Sequence, residues 1–190
     1  NQDTSDITGI TGDGDGNNAL WQGTLSGLFS AGADQPGSYG LGTSFGSLPQ
    51  LTSDQATVSY AVSGNTLYGY VDSGTAGFDA SDRKVFRLTI EDTVSGSYTF
   101  ELLDQLDHHT AGDQTETLLT LDLSGAIVGY DEDGDQLTLD SGSLQIMVQD
   151  DIPSQTTGIA QGYVEEEALS GGNQDTSDIT GITGDGDGNN

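Results

Sequence analysis

Thr57 to Val71 reads TVSYAVSGNTLYGYV, and this stretch decides the fold class. Thr57 to Ser63 alternates in polarity, Gly64-Asn65 supplies a turn, and Thr66 to Val71 returns. Alternation with a period of two places every second side chain on one face of a strand. Two such runs separated by a two-residue Gly-containing turn predict a β-hairpin.

The same pattern continues outward. Phe86, Leu88 and Ile90 share one face of a further strand, and a loop through Ser95-Gly96 leads to Tyr98, Phe100 and Leu102 on the next. Leu119, Leu121 and Leu123 mark another, and Leu144, Ile146 and Val148 the last clear one. Helical periodicity is nearly absent, and the 29 glycines read as turns. Strands with one apolar and one polar face predict an all-β protein, an antiparallel Ig-like β-sandwich. Its domain is expected over residues 1–153. Residues 154–190 are expected to hold a polar linker and the start of another domain, with Tyr163 to Leu169 either its first strand or a short helix.

Asn1 to Asn18 reads NQDTSDITGITGDGDGNN, and Asn173 to Asn190 repeats it without a change. The period, 173 minus 1, is 172 residues. Solenoid repeats are about 20–50 residues long, so this period describes whole domains in series. An array of identical large domains extends something; catalysis rarely needs many identical copies.

The charge is lopsided: 31 Asp and Glu stand against three Lys and Arg, a formal net charge of −28. Such a surface repels phosphate backbones and anionic membranes, so nucleic acid is not an expected partner. No apolar run approaches the roughly 20 residues of a membrane helix, so no membrane insertion is expected. No basic segment followed by an apolar one opens the sequence, so no signal peptide is read within it. Cysteine is absent. A folded chain this acidic without disulfides calls for divalent cations to neutralise its carboxylates.

The acidic motifs supply candidate ligands. Calcium takes 6–8 oxygens, and acids separated by glycine let a tight loop aim several inward. Asp131, Asp133 and Asp135 lie in DEDGD; Asp13, Asp15 and Asn17 lie in DGDGN, repeated at Asp185, Asp187 and Asn189; Asp150 and Asp151 precede Pro153. These runs differ from an EF-hand loop. Its sixth position would be Gln136 or Asn18, and its twelfth Gly142 or Thr24. Other segments would have to complete each shell. Asp104 and Asp107 are minor candidates. Each ion bound only by the folded state adds about 2.7 kcal/mol at a hundredfold excess over its Kd.

Catalytic motifs are weak. Gly42 to Gly46 matches G-x-S-x-G, yet the nucleophile elbow needs a strand–turn–helix setting that nothing here predicts. His108-His109 lacks the further His or Cys of a zinc site. The chain is therefore read as a non-enzyme.

Five stretches taken in order resemble the long tandem repeats of giant RTX adhesins exported by type I secretion. They are ALWQGTLSGLFSAGAD (Ala19 to Asp34), YTFELLDQLDH (Tyr98 to His108), YDEDGD (Tyr130 to Asp135), GSLQIMVQDDIP (Gly142 to Pro153) and VEEEALSGG (Val164 to Gly172). The resemblance implies β-sandwich extender domains with several calcium ions within and between repeats, in a monomeric chain whose neighbours are identical repeats. It implies a secreted protein on the bacterial cell surface, where a stalk projects ligand-binding domains for adhesion, biofilm formation or virulence. Asp131, Asp133, Asp135, Asp150 and Asp151 match its acidic motifs, and Glu166 joins them from the VEEEALSGG stretch. The nonapeptide repeats of the export region are absent, as an extender would require. The alternative function is a calcium-dependent, lectin-like ligand-binding module.

Overall fold

The computed structural model describes residues 19–108, 117–151, 155–162 and 170. The chain divides into two compact units, Asn1–Ile152 and Pro153–Asn190. All described strands belong to the first. In the second, Ile159 is exposed, and the candidate strand Tyr163 to Leu169 lies outside the described residues.

In chain order the strands are β1 (Leu20–Thr24), β2 (Ser38–Leu41), β3 (Thr52–Ser53), β4 (Ala56–Thr57), β5 (Ser59–Ser63) and β6 (Thr66–Val71). There follow β7 (Arg83–Asp92), β8 (Ser97–Leu102), β9 (Leu118–Asp122), a 3-10 turn (Ser124–Ala126), β10 (Ile127–Tyr130), β11 (Gln136–Thr138) and β12 (Gln145–Gln149). A five-stranded sheet runs in the order β1-β8-β7-β6-β5. Smaller sheets are β11-β10-β2, β12-β9 and β3-β4, and every pair is antiparallel. Phe86, Leu88, Ile90 and Phe100 of the large sheet share one buried core with Leu121, Ile127, Ile146 and Val148 of the small ones. The expected all-β antiparallel sandwich is what the chain forms.

The decisive hairpin is there. Ser63 pairs with Thr66 across Gly64-Asn65. Gly64 has φ +59° while Asn65 stays out of the left-handed region, the arrangement of a type II′ turn with glycine first. The strand read as Thr57 to Ser63 is in fact two. Val58 is buried, and its N–H donates to Leu51 O at 2.9 Å, so β4 pairs with β3 while β5 pairs with β6. The β3–β4 turn places Asp54 (φ 50°) and Gln55 (φ 62°) in the left-handed region. The Asp107 carboxylate accepts both their N–H groups, at 3.0 and 2.8 Å, and so holds this turn from a distant loop.

The reading of glycine as turn punctuation needs correcting. Gly23, Gly40, Gly69 and Gly129 lie inside strands. A Cβ at any of them would come under 3 Å from the ring of Tyr98, Tyr130, Phe86 or Phe29 respectively. Each glycine leaves the floor on which an aromatic ring lies, and the strand gives up its own side chain to pack a larger one.

One connection positions a buried charge. The segment Asp72–Asp82 leaves β6 and returns to β7. Asp82 is 5% exposed, and its carboxylate accepts from Ser73 N–H (2.9 Å), Ser73 Oγ (3.1 Å) and Asp79 N–H (2.6 Å). The two backbone donors, Ser73 first, hold its pKa below the ordinary carboxylate value. Phe78, from the same segment, stacks on Tyr68 at 4.7 Å and lies under Lys84 Nζ at 5.5 Å.

Candidate metal centre

Tyr130 pairs with Gln136, so Asp131 to Asp135 form the connection between β10 and β11. Asp131 N–H donates to Asp135 O at 3.1 Å, which narrows the tip to Glu132, Asp133 and Gly134. Gly134 has φ +92°, the left-handed position that closes a three-residue hairpin loop. Asp131 Oδ1 accepts from Gly134 N–H at 3.0 Å and from Asp135 N–H at 2.7 Å. One end of the loop thus locks the other through its own carboxylate. Glu132 N–H donates to Asp34 O at 3.2 Å, which ties the tip to the loop before β2.

This geometry gathers three carboxylates. One oxygen each from Asp131, Asp133 and Asp135 lies within 4.8 Å of the others. Among the described residues this is the one group of three or more His, Cys, Asp or Glu side chains that converges in this way. Asp131 is half-buried; Asp133 and Asp135 are exposed. The Asp133 pKa is raised above its ordinary value, chiefly by its hydrogen bond to Asp131 and that residue's charge, with the charge of Asp135 adding to them. Crowded negative charge pushes a carboxylate toward its neutral form, and a cation among the oxygens would reverse that push.

The donor set fits a hard divalent cation. It offers carboxylate oxygen only, with neither sulfur nor imidazole, and this chemistry suits calcium or magnesium rather than zinc or copper. Asp131 Oδ1 already serves two amides, so Asp131 would bind chiefly through Oδ2. Three carboxylates fill only part of a calcium shell of 6–8 oxygens. Water or backbone carbonyls would supply the rest.

Of the other sequence-derived candidates, those among the described residues do not join this group. Asp150 and Asp151 follow β12, and Asp150 N–H donates to Thr117 O at 2.9 Å. Asp104 pairs with Arg83 at 2.5 Å, and Asp107 holds the β3–β4 turn, so both carboxylates serve the fold. Asp13, Asp15, Asn17, Glu166, Asp185 and Asp187 lie outside the described residues, as does His109. Gly42 to Gly46 runs through irregular chain after β2 with Ser44 exposed, and no helix follows it.

The three cations of the sequence all lie on β7, and each is already engaged. Arg83 pairs with Asp104, Arg87 with Glu101 at 2.5 Å, and Lys84 rests over Phe78. Nothing in the spacing of the sequence announced that these charges were spent internally. Three cations cannot balance 31 Asp and Glu, so most of the carboxylates have no Lys or Arg to pair with. Among the described residues no helix is long and apolar enough to cross a membrane.

No protein-family model, curated protein or solved structure matches this chain.

Proposed function

We propose that this chain is a calcium-stabilised extender repeat of a secreted bacterial adhesin. It would serve as one element of a stalk that holds ligand-binding domains away from the cell surface. The observation that carries the reading is the unchanged recurrence of Asn1 to Asn18 at Asn173 to Asn190. Whole-domain repetition favours a protein whose property is length. The resemblance of five segments to giant RTX adhesin repeats supports the same reading.

Calcium has a definite physical task in it. A net charge of −28 opposes compaction, and the three Lys and Arg side chains are already engaged with Asp104, Phe78 and Glu101. An ion among Asp131, Asp133 and Asp135 would lock the β10–β11 connection and cancel local repulsion. Ions held by the acidic runs near each repeat boundary would stiffen the array. Calcium is scarce in the cytosol and plentiful outside, so a chain of this kind would fold after export.

The test is small-angle scattering from a protein of several consecutive periods, in millimolar calcium and in EGTA. The reading expects a rod-like profile with calcium whose length grows in proportion to the number of periods. In EGTA it expects a broader, more flexible distribution. Equal flexibility in both conditions would defeat it.

A further inference from the structure

The tip of the β10–β11 connection carries a second chemistry, independent of any metal. Asp133-Gly134 is the one Asp–Gly dipeptide among the described residues. Asp133 is exposed at the apex, and a Cβ placed on Gly134 would meet nothing within 4 Å. The backbone nitrogen after Asp133 is therefore unshielded by a side chain of its own or by a neighbour. One residue restrains it: Asp131, whose Oδ1 accepts the Gly134 N–H at 3.0 Å and the Asp135 N–H at 2.7 Å, and whose main-chain O accepts the Gly134 N–H more weakly at 3.4 Å.

We propose that Asp133 is a site of spontaneous conversion of aspartate to isoaspartate, and that the Asp131 carboxylate is the latch that slows it. The Gly134 nitrogen attacks Cγ of the Asp133 carboxyl. A C–N bond forms, a C–O bond breaks, and the oxygen leaves as water with the amide proton and the carboxyl proton. The five-membered succinimide then takes up one water. Addition at the side-chain carbonyl restores aspartate. Addition at the main-chain carbonyl leaves the chain running through Cγ as isoaspartate. One water is lost and one regained, and no oxidant or reductant takes part.

The attack cannot begin while the Gly134 N–H is held by Asp131, so the rate follows how often the tip opens. The product adds a methylene to the backbone of a three-residue turn. It also moves the Asp133 carboxylate out of the group it forms with Asp131 and Asp135. Conversion would thus remove the carboxylate cluster permanently, while the β10 and β11 strands on either side remain paired.

The experiment ages the full chain at neutral pH and 37 °C in EGTA, beside an Asp131→Ala variant. Isoaspartate is located by electron-transfer fragmentation and by resistance to Asp-N cleavage. Isoaspartate is expected to build up at 133 several-fold faster than at the exposed Asp72-Ser73 and Asp140-Ser141 bonds, and several-fold faster again in Asp131→Ala. Accumulation at 133 no greater than at those two bonds would overturn the site. An unchanged or slower rate in Asp131→Ala would overturn the latch. A third arm in calcium separates this proposal from the metal reading. Slower conversion there supports both. Equal conversion supports the isoaspartate site and counts against calcium at Asp133.

Discussion

Replacing Gly69 with alanine should destabilise the domain although it adds only one methyl group. Gly69 lies on β6 directly opposite Phe86 on β7. A Cβ there would come under 3 Å from three carbons of the Phe86 ring. Phe86 has no room to move: it is fully buried, with Phe100 at 5.4 Å and Tyr60 at 6.1 Å between ring centroids. Overpacking of this kind costs about 1–3 kcal/mol. Alanine recovers roughly 0.5–1 kcal/mol in a strand because glycine loses more backbone freedom on folding. Because the ring cannot yield, the upper half of that cost, about 2–3 kcal/mol, applies, and the net loss is about 1–2.5 kcal/mol. At about 2–4 °C per kcal/mol for a chain of this size, thermal unfolding followed by circular dichroism should show a Tm lower by roughly 2–10 °C. Gly46→Ala is the matched control, since nothing lies within 4 Å of its Cβ and its φ is not left-handed. It should leave Tm unchanged or raise it slightly. If Gly69→Ala melts with or above the native protein, the reasoning about rings seated on glycine is wrong.

Acid should unfold the domain through specific carboxylates. Asp82 and Asp104 have folded pKa values below ordinary, held down first by the Ser73 amide and the Arg83 guanidinium respectively. At Asp122, burial pulls upward, but the Ser124 and Ser141 hydroxyls and two backbone amides outweigh it. A lowered folded pKa contributes stability that is complete above the unfolded value near 3.9 and is lost as pH falls through the folded one. Tm should therefore hold near neutrality and drop steeply below about pH 4, and a flat profile down to pH 2 would contradict these assignments. Asp122→Ala should cost about 1.5–3 kcal/mol or more, because it abandons the amides of Ser124 and Gly142 and two hydroxyls at once; urea midpoints measure it. Asp133→Asn together with Asp135→Asn should abolish any calcium-dependent rise in Tm that this loop supplies while leaving the metal-free Tm close to native; isothermal titration on the same protein should lose one class of site.

Much of the large sheet was legible because its residues face one core on one side only. Phe86, Leu88 and Ile90, then Tyr98 and Phe100, alternate cleanly, as do Leu121 with Leu123 and Ile146 with Val148. The strands that escaped notice lack that contrast. β10 begins with a run of apolar residues, Ile127-Val128, buried on both sides, and period-two reading cannot see it. β2 is four residues long with a glycine in it, and β11 is three residues exposed throughout. Val58 looked like the middle of one strand because its polarity fits; its hydrogen bond to Leu51, which divides the strand, is a tertiary fact. At the candidate site the convergence of Asp131, Asp133 and Asp135 could be anticipated, because alternate acids on either side of a turn glycine share a tip. That Asp131 would spend one oxygen on the loop's own amides could not, since it depends on the hairpin register. Nor could the burial of Asp82, which ten residues of irregular chain bring back against Ser73.

Thermal unfolding of the full chain in millimolar calcium and in EGTA bears most directly on the proposed role of divalent ions. One ion at a hundredfold excess over its Kd adds about 2.7 kcal/mol, or roughly 5–11 °C at about 2–4 °C per kcal/mol, and several ions add more. The account predicts a Tm at least that much higher in calcium, reversed by chelation. Superimposable melting curves would contradict it.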